Sequence, residues 1–189
     1  MLDTFGRDLA AAGISANAVT LTALAVGITA AAVIASGWFM TGLFLILASR
    51  LGDGLDGAVA KVNGGTDVGG YLDIVLDFVF YGAIPLAFAV ADPAANALAA
   101  AALLFSFYAN GASFLAYSII AEKRKMTTSA RGPKSLFFTT GLAEASETIL
   151  FFVAFCVFPT WFGVLAYVFA AITLYTALSR IILAARTFA

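Results

Sequence analysis

Six apolar segments, at roughly residues 19–35, 39–62, 69–90, 95–120, 136–157 and 161–183, occupy most of this chain. Each holds about 17–26 residues, and at about 1.5 Å of rise per helical residue that is enough to cross about 30 Å of hydrocarbon. A bilayer offers no water to backbone N–H and C=O groups. Segments of this kind must therefore close their hydrogen bonds internally, which selects helices. Turn-forming residues separate them: Ser36-Gly37, Asn63-Gly64-Gly65, Asp92-Pro93, Arg131-Gly132-Pro133 and Pro159. The expected fold is an all-α integral membrane protein: one membrane domain over residues 1–189, with a bundle of six transmembrane helices over 19–183.

Composition agrees and narrows the chemistry. The chain is 62% hydrophobic and 11% charged, against about 45–50% and about 25% in soluble domains. It cannot cover itself with polar surface in water. A net charge of −1 offers no basic face to nucleic acid, so none is expected as a partner. Cys156 is the only cysteine, which excludes an intramolecular disulfide, and there is no histidine. Proton transfer and metal binding fall to carboxylates.

The basic residues set the orientation. With six spans both termini share one side, and Arg7, Arg50, Lys61, Lys123, Arg124, Lys125, Arg131, Lys134, Arg180 and Arg186 all fall at or near it. The opposite loops hold only Asp92. By the positive-inside rule both termini are expected in the cytoplasm, in the inner membrane if the source is bacterial. Ahead of the first span, Leu2, Phe5 and Leu9 recur at helical spacing with Asp3 and Arg7 on the other side, which predicts a short interfacial helix within residues 1–15.

Against this background the stretch DGLDGAVAKVNGGTDVGGYLDIVLD, residues 53–77, is anomalous. On a helix Asp53 and Asp56 share a face near the cytoplasmic end of span two. Asp73 and Asp77, four apart, share a face near the start of span three. The short turn between the spans makes them antiparallel neighbours, so the four carboxylates are expected to converge just inside the membrane. An Asp at a helix centre costs about 2.5–3.5 kcal/mol on insertion scales, and repulsion between carboxylates adds to that. Either the groups are protonated or cations hold them. All-oxygen ligands favour Mg²⁺, Mn²⁺ or Ca²⁺ over zinc, and two such ions suit phosphoryl transfer on a diphosphate. Gly52, Gly54, Gly57, Gly69 and Gly70 flank the carboxylates, where bare backbone admits either close helix packing or a ligand.

Written as a pattern, the stretch is D-x2-D-G-x2-A-K-x7-G-x3-D-x3-D, carried by Asp53, Asp56, Gly57, Ala60, Lys61, Gly69, Asp73 and Asp77. It resembles the signature of the CDP-alcohol phosphotransferases, D-x2-D-G-x2-A-R-x8-G-x3-D-x3-D with small spacing variation. Residues 14–20, ISANAVT, are similar to the family's stretch before span one, although Ala16 stands where the family often has Pro. Lys61 stands where the family usually has Arg; it keeps the charge and loses the bidentate fork. The resemblance implies a membrane enzyme of phospholipid biosynthesis. Asp53, Asp56, Asp73 and Asp77 would hold two divalent cations, Mg²⁺ or Mn²⁺. Asp53, Gly57, Ala60, Lys61 and Gly69 would bind the CDP moiety, and Asp77 would be the base for the attacking hydroxyl. A phosphatidyl group would pass from CDP-diacylglycerol to a small alcohol with release of CMP. The family also contains enzymes that pair a CDP-alcohol donor with a lipid acceptor, and the resemblance implies a homodimer.

For the acceptor the residues offer two directions. Ser106, Asn110, Ser113 and Tyr117 fall on one face of span four, and Thr140, Glu144 and Glu147 on one face of span five. The glutamates suit a polyol or an amine, or a structural ion pair with Arg180 or Lys134. Arg124, Arg131, Lys134 and Arg180 suit a phosphorylated alcohol. Asn110, Lys134, Glu144, Glu147 and Arg180 are the candidate acceptor-binding set. A divalent-cation or proton transporter is the alternative of another class, but no acidic relay continues into the apolar outer halves of spans two and three.

Overall fold

A computed structural model describes residues 2–126 and 145–189, with backbone alone for residues 2 and 3. Seven α-helices follow in order: α1 (Leu2–Ala11), α2 (Ala16–Ala35), α3 (Phe39–Asn63), α4 (Asp67–Ala91), α5 (Pro93–Lys123), α6 (Ala145–Val157) and α7 (Phe162–Phe188), with a 3₁₀ turn at Pro159–Trp161 before α7. Among the described residues there is no strand. Helices α2 to α7 correspond to the six apolar segments. Four stretches are long and apolar enough to cross a membrane: Ala16–Ala35, Asp67–Ala91, Pro93–Lys123 and Pro159–Phe188. The 25-residue α3 is long enough but carries Arg50, Asp53, Asp56 and Lys61, and α6 is described over 13 residues only. Arg131, Lys134, Thr140 and Glu144 lie outside the described residues.

Large apolar side chains, among them Phe44, Leu51, Leu86, Leu98, Phe105 and Leu150, point outward and are more than half exposed. A surface of this kind is unfavourable in water and favourable in hydrocarbon. With four helices long and apolar enough to cross a membrane among the described residues, the chain is a multi-pass membrane protein.

The described residues form two compact units, one of residues up to 97 together with 156–159, the other drawn from 98–155 and 160–189. In the first, α2 lies against both α3 and α4 through a face of small residues. Thr20, Ala23, Gly27, Ala30, Ala31 and Ile34 are its buried positions, at the three- and four-residue spacing of one helix face. A Cβ at Gly27 would sit 2.6 Å from the Phe80 ring and 3.0 Å from the Ser49 hydroxyl, so bare backbone is required there. Ser49 Oγ donates to the Ala23 carbonyl at 2.7 Å, tying α3 to α2 by a buried polar bond. The α1 helix exists and packs on α3: a Cβ at Gly6 would meet Ala58 at 2.5 Å.

Local chemistry sets the ends of these helices. The Ser15 hydroxyl accepts the Ala18 N–H and caps α2, and the Thr66 hydroxyl accepts the Gly69 N–H and caps α4. Gly64, at φ 86°, ends α3 in a backbone conformation that side-chain-bearing residues avoid. Pro93 opens α5 at the position where its missing N–H costs nothing, and the Asp92 carboxylate accepts the Ala95 N–H.

In the second unit α5, α6 and α7 interlock through aromatic rings. Phe151 stacks on Phe169 at 4.3 Å between centroids, Phe107 meets Phe169 edge-on at 5.4 Å, and Phe155 meets Phe162 edge-on at 4.9 Å. The Arg124 guanidinium donates to the Phe188 carbonyl at 2.6 Å, where the unsatisfied C=O groups at the end of α7 favour a cation.

Candidate functional site

The connection from α3 to α4 is only residues 64–66, and this fixes the register of the aspartates. Asp56 lies seven residues before the end of α3 and Asp73 six after the start of α4, so both sit about 10 Å along their helices from the turn. Asp53 and Asp77 each lie ten residues from the same turn, about 15 Å. Of the four carboxylates expected to converge, three form one group: one carboxylate oxygen from each of Asp53, Asp56 and Asp73 lies within 4.8 Å of the others, and Asp77 is not part of it.

Each carboxylate has a distinct environment. Asp56 is buried and accepts a 2.6 Å hydrogen bond from the Thr20 hydroxyl of α2. Asp53 is half-buried and Asp73 exposed. Asp77 accepts from Arg50 at 2.7 Å, and the same guanidinium nitrogen lies 3.3 Å from Asp53. Arg50 is largely buried, and its guanidinium carbon lies 3.9 Å from the centroid of the Phe80 ring. It lowers the formal charge of the four-carboxylate group from −4 to −3.

Sequence reasoning counted Arg50 only towards topology and did not connect Thr20 to the site. Arg50 was within reach of pattern: it stands three residues before Asp53 and so shares its helix face. Thr20 is 36 residues from Asp56, and no local pattern joins them.

The glycines divide into two kinds. Gly52 packs, since a Cβ there would lie 3.1 Å from the Ala23 Cβ. Gly69 is close to Asn17 and to the Thr66 hydroxyl, each 3.1 Å from the position of an added Cβ. Among the described residues nothing lies within 4 Å of a Cβ added at Gly54, Gly57 or Gly70, so packing against the described helices does not account for them. Lys61 is exposed in the last turn of α3 and Ala60 is half-buried.

The donor set fits hard divalent cations: three carboxylates that each offer an oxygen, in a chain without histidine, and a fourth carboxylate one turn further along α4. Among the acceptor candidates, Arg180 of α7 is buried and its Nη1 donates to the Asn110 carbonyl (3.1 Å), Asn110 Oδ1 (2.9 Å) and Ser113 Oγ (2.7 Å). Ser106 and Tyr117 are buried on the same face of α5, as their spacing predicts. Glu147 accepts from the Ser146 hydroxyl at 2.9 Å in the first turn of α6. Its expected partner in the acceptor set, Glu144, lies outside the described residues, as does Lys134.

Residues 14–183 match the family model for CDP-alcohol phosphatidyltransferase. The chain belongs to that family. Its membership covers the aspartates, Arg50, Thr20 and Arg180 alike, and leaves out only α1 and the last residues of α7. Among curated proteins, the inner membrane protein YnjF of Escherichia coli (strain K12) is 43% identical over 175 residues, spanning 93% of this chain and 85% of that protein. The fold is shared with Mycobacterium tuberculosis phosphatidylinositol phosphate synthase, PgsA1. The structure of that enzyme with CDP-DAG bound superposes with a TM-score of 0.75 at 20% identity, covering 96% of this chain and 92% of that one. Its structure with manganese and citrate gives the same TM-score and identity, covering 96% and 87%.

Proposed function

We propose that this protein transfers a phosphatidyl group from CDP-diacylglycerol to a small alcohol, releasing CMP. The observation that carries the proposal is the meeting of Asp53, Asp56 and Asp73 beside glycines whose bare faces are open. Carboxylates alone repel a diphosphate. With divalent cations between them the same group attracts one, and the open backbone at Gly54, Gly57 and Gly70 lets a nucleotide approach. Family membership and the CDP-DAG bound by PgsA1 support the donor.

Asp53, Asp56, Asp73 and Asp77 would hold two divalent cations, Mg²⁺ or Mn²⁺. The chemistry such ions supply is neutralisation of the diphosphate and stabilisation of its leaving group. The protein's own residues do the rest. Thr20 fixes the Asp56 carboxylate. Lys61, one turn beyond Asp56, offers a positive charge to the diphosphate, and Asp53, Gly57, Ala60 and Gly69 bound the CDP moiety. Arg50 engages Oδ1 of Asp77, and we assign Oδ2 to take the proton from the acceptor hydroxyl. Asn110, Lys134, Glu144, Glu147 and Arg180 are proposed for the acceptor. The active unit is proposed to be a homodimer in which all six apolar helices cross the membrane, with both termini and the site on the cytoplasmic side.

Purified protein with CDP-diacylglycerol, Mg²⁺ and a panel of alcohols tests the proposal directly. CMP release and a new phosphodiester lipid, identified by mass, are expected with one or a few acceptors and are expected to vanish in excess chelator. A water-soluble CDP-alcohol supplied with diacylglycerol tests the reverse use of donor and acceptor. Turnover unaffected by a chelator would refute the metal role, and turnover only with the CDP-alcohol would reverse the donor assignment.

A further inference from the structure

Arg50 is the one feature of the site that the proposed chemistry does not require. A chain that needs two divalent ions among four aspartates gains nothing obvious from a buried cation already seated between two of them. Its seat is nevertheless well built. One guanidinium nitrogen donates to Asp77 at 2.7 Å and lies 3.3 Å from Asp53. The other terminal nitrogen lies 3.3 Å from the Ser49 hydroxyl, which is itself anchored to the Ala23 carbonyl. The guanidinium carbon rests 3.9 Å from the centre of the Phe80 ring, and Phe80 is fully buried. In this seat Nε of Arg50 is buried without a hydrogen-bond partner, so the position is held by the carboxylates and the ring rather than by complete satisfaction of the guanidinium.

This arrangement splits the four aspartates. Asp53, Asp56 and Asp73 bring oxygens within 4.8 Å of one another, and Arg50 reaches that group only as a 3.3 Å ion pair with Asp53, while Asp77 is committed through Oδ1 to a 2.7 Å hydrogen bond from the guanidinium. A divalent ion bound by the first three meets the guanidinium through Asp53 alone, with Asp56 and Asp73 free of it. An ion that needs Asp77 competes with a guanidinium for the same carboxylate and sits beside its charge.

We propose that Arg50 is a positioning residue that occupies Asp77 and makes the binding of the two cations unequal: one ion binds tightly at Asp53, Asp56 and Asp73, and the second, which draws on Asp77, binds weakly until a diphosphate adds its negative charge. Arg50 thereby keeps the resting site from holding two ions without substrate. The inference rests on the reading of the aspartates as metal ligands.

Mn²⁺ binding to the full-length protein in nanodiscs, followed by electron paramagnetic resonance of free Mn²⁺ without any substrate, tests it. The wild type should bind one ion tightly and a second at least about tenfold more weakly, a difference set by the adjacent charge. Arg50→Gln removes the charge and should tighten the second constant about tenfold or more while tightening the first by a clearly smaller factor. Arg50→Lys keeps the charge but not the fork or the stacking face, and should tighten the second constant by a smaller factor. Two equal tight sites in the wild type would overturn the proposal. So would a second constant unmoved in both variants, or unmoved in Arg50→Lys should Arg50→Gln fail to fold. A purely structural Arg50 would lower the unfolding temperature of the variants without changing the ratio of the two constants. No Mn²⁺ binding by the wild type would instead overturn the metal reading on which the proposal stands.

Discussion

Thr20→Val removes the hydroxyl that reaches the centre of the site, together with its weaker 3.0 Å contact to the Ala16 carbonyl. Valine keeps the branched shape and close to the volume of threonine, so the contact of α2 with α3 is retained and only the hydroxyl is lost. That hydroxyl donates to Asp56 at 2.6 Å, with both residues buried. Hydrogen bonds to charged groups contribute about 1.5–3 kcal/mol, and removal of the donor leaves a buried oxygen unsatisfied. For a chain of this size a kcal/mol corresponds to about 2–4 °C of unfolding temperature, which gives a loss of roughly 3–12 °C. This loss is expected in chelator, where Thr20 is the partner that holds the Asp56 oxygen. If Asp56 is a metal ligand, saturating Mn²⁺ supplies that oxygen with another partner, and the deficit should shrink to less than half its value in chelator. Thr20→Ser keeps the hydroxyl and should stay close to wild type in both conditions. The measurement is thermal unfolding in detergent followed by the fluorescence of Trp38 and Trp161, with chelator and with Mn²⁺. An equal deficit in the two conditions would refute the role of Asp56 as a ligand, and no deficit in either would refute the energetic argument for the bond.

Asp77→Asn should abolish CMP release by at least about a hundredfold, the scale of a lost general base, while the amide oxygen still accepts from Arg50 and the fold persists; near-normal release would remove Asp77 as the base. Lys61→Ala should raise the Michaelis constant for the CDP donor more than it lowers turnover, and Lys61→Arg should be tolerated; an unchanged donor constant in Lys61→Ala would take Lys61 out of the site. Gly57→Ala places a methyl group that, among the described residues, meets no atom within 4 Å beyond the local backbone of α3, so it should stabilise α3 by up to about 1 kcal/mol. It should nevertheless weaken donor binding, and unaltered donor kinetics in a stabilised variant would show that the open face of Gly57 is not where the nucleotide lies.

Hydropathy and spacing determined a great deal here, because a bilayer leaves so few solutions. Apolar runs of this length must be helices, and the boundaries of α3 and α4 fall within a residue or two of the expected ones. The short turn between the two spans and the helical period together lead from the sequence to the expectation that the four aspartates converge at one depth. Local rules reach that far because every step is between neighbours in sequence: residue to turn of helix, helix to the adjacent helix. The family likeness was legible for the same reason, since its motif is contiguous.

Tertiary structure decided what depends on residues distant in sequence. Which glycines serve packing and which serve an open face cannot be read from glycine itself; it depends on whether Ala23, Phe80 or nothing stands opposite. That Asp56 is held by Thr20 follows from the small-residue face of α2, which lets two helices approach closely enough for a hydroxyl to reach a carboxylate. The sequence showed four like charges and a need for cations. The fold supplied one of its own, Arg50, by placing Phe80 of α4 beneath the guanidinium and Asp77 beside it. A charge within one helix is visible as spacing, but the partner that neutralises it belongs to the neighbouring helix, and only the packing of α3 on α4 brings the two together.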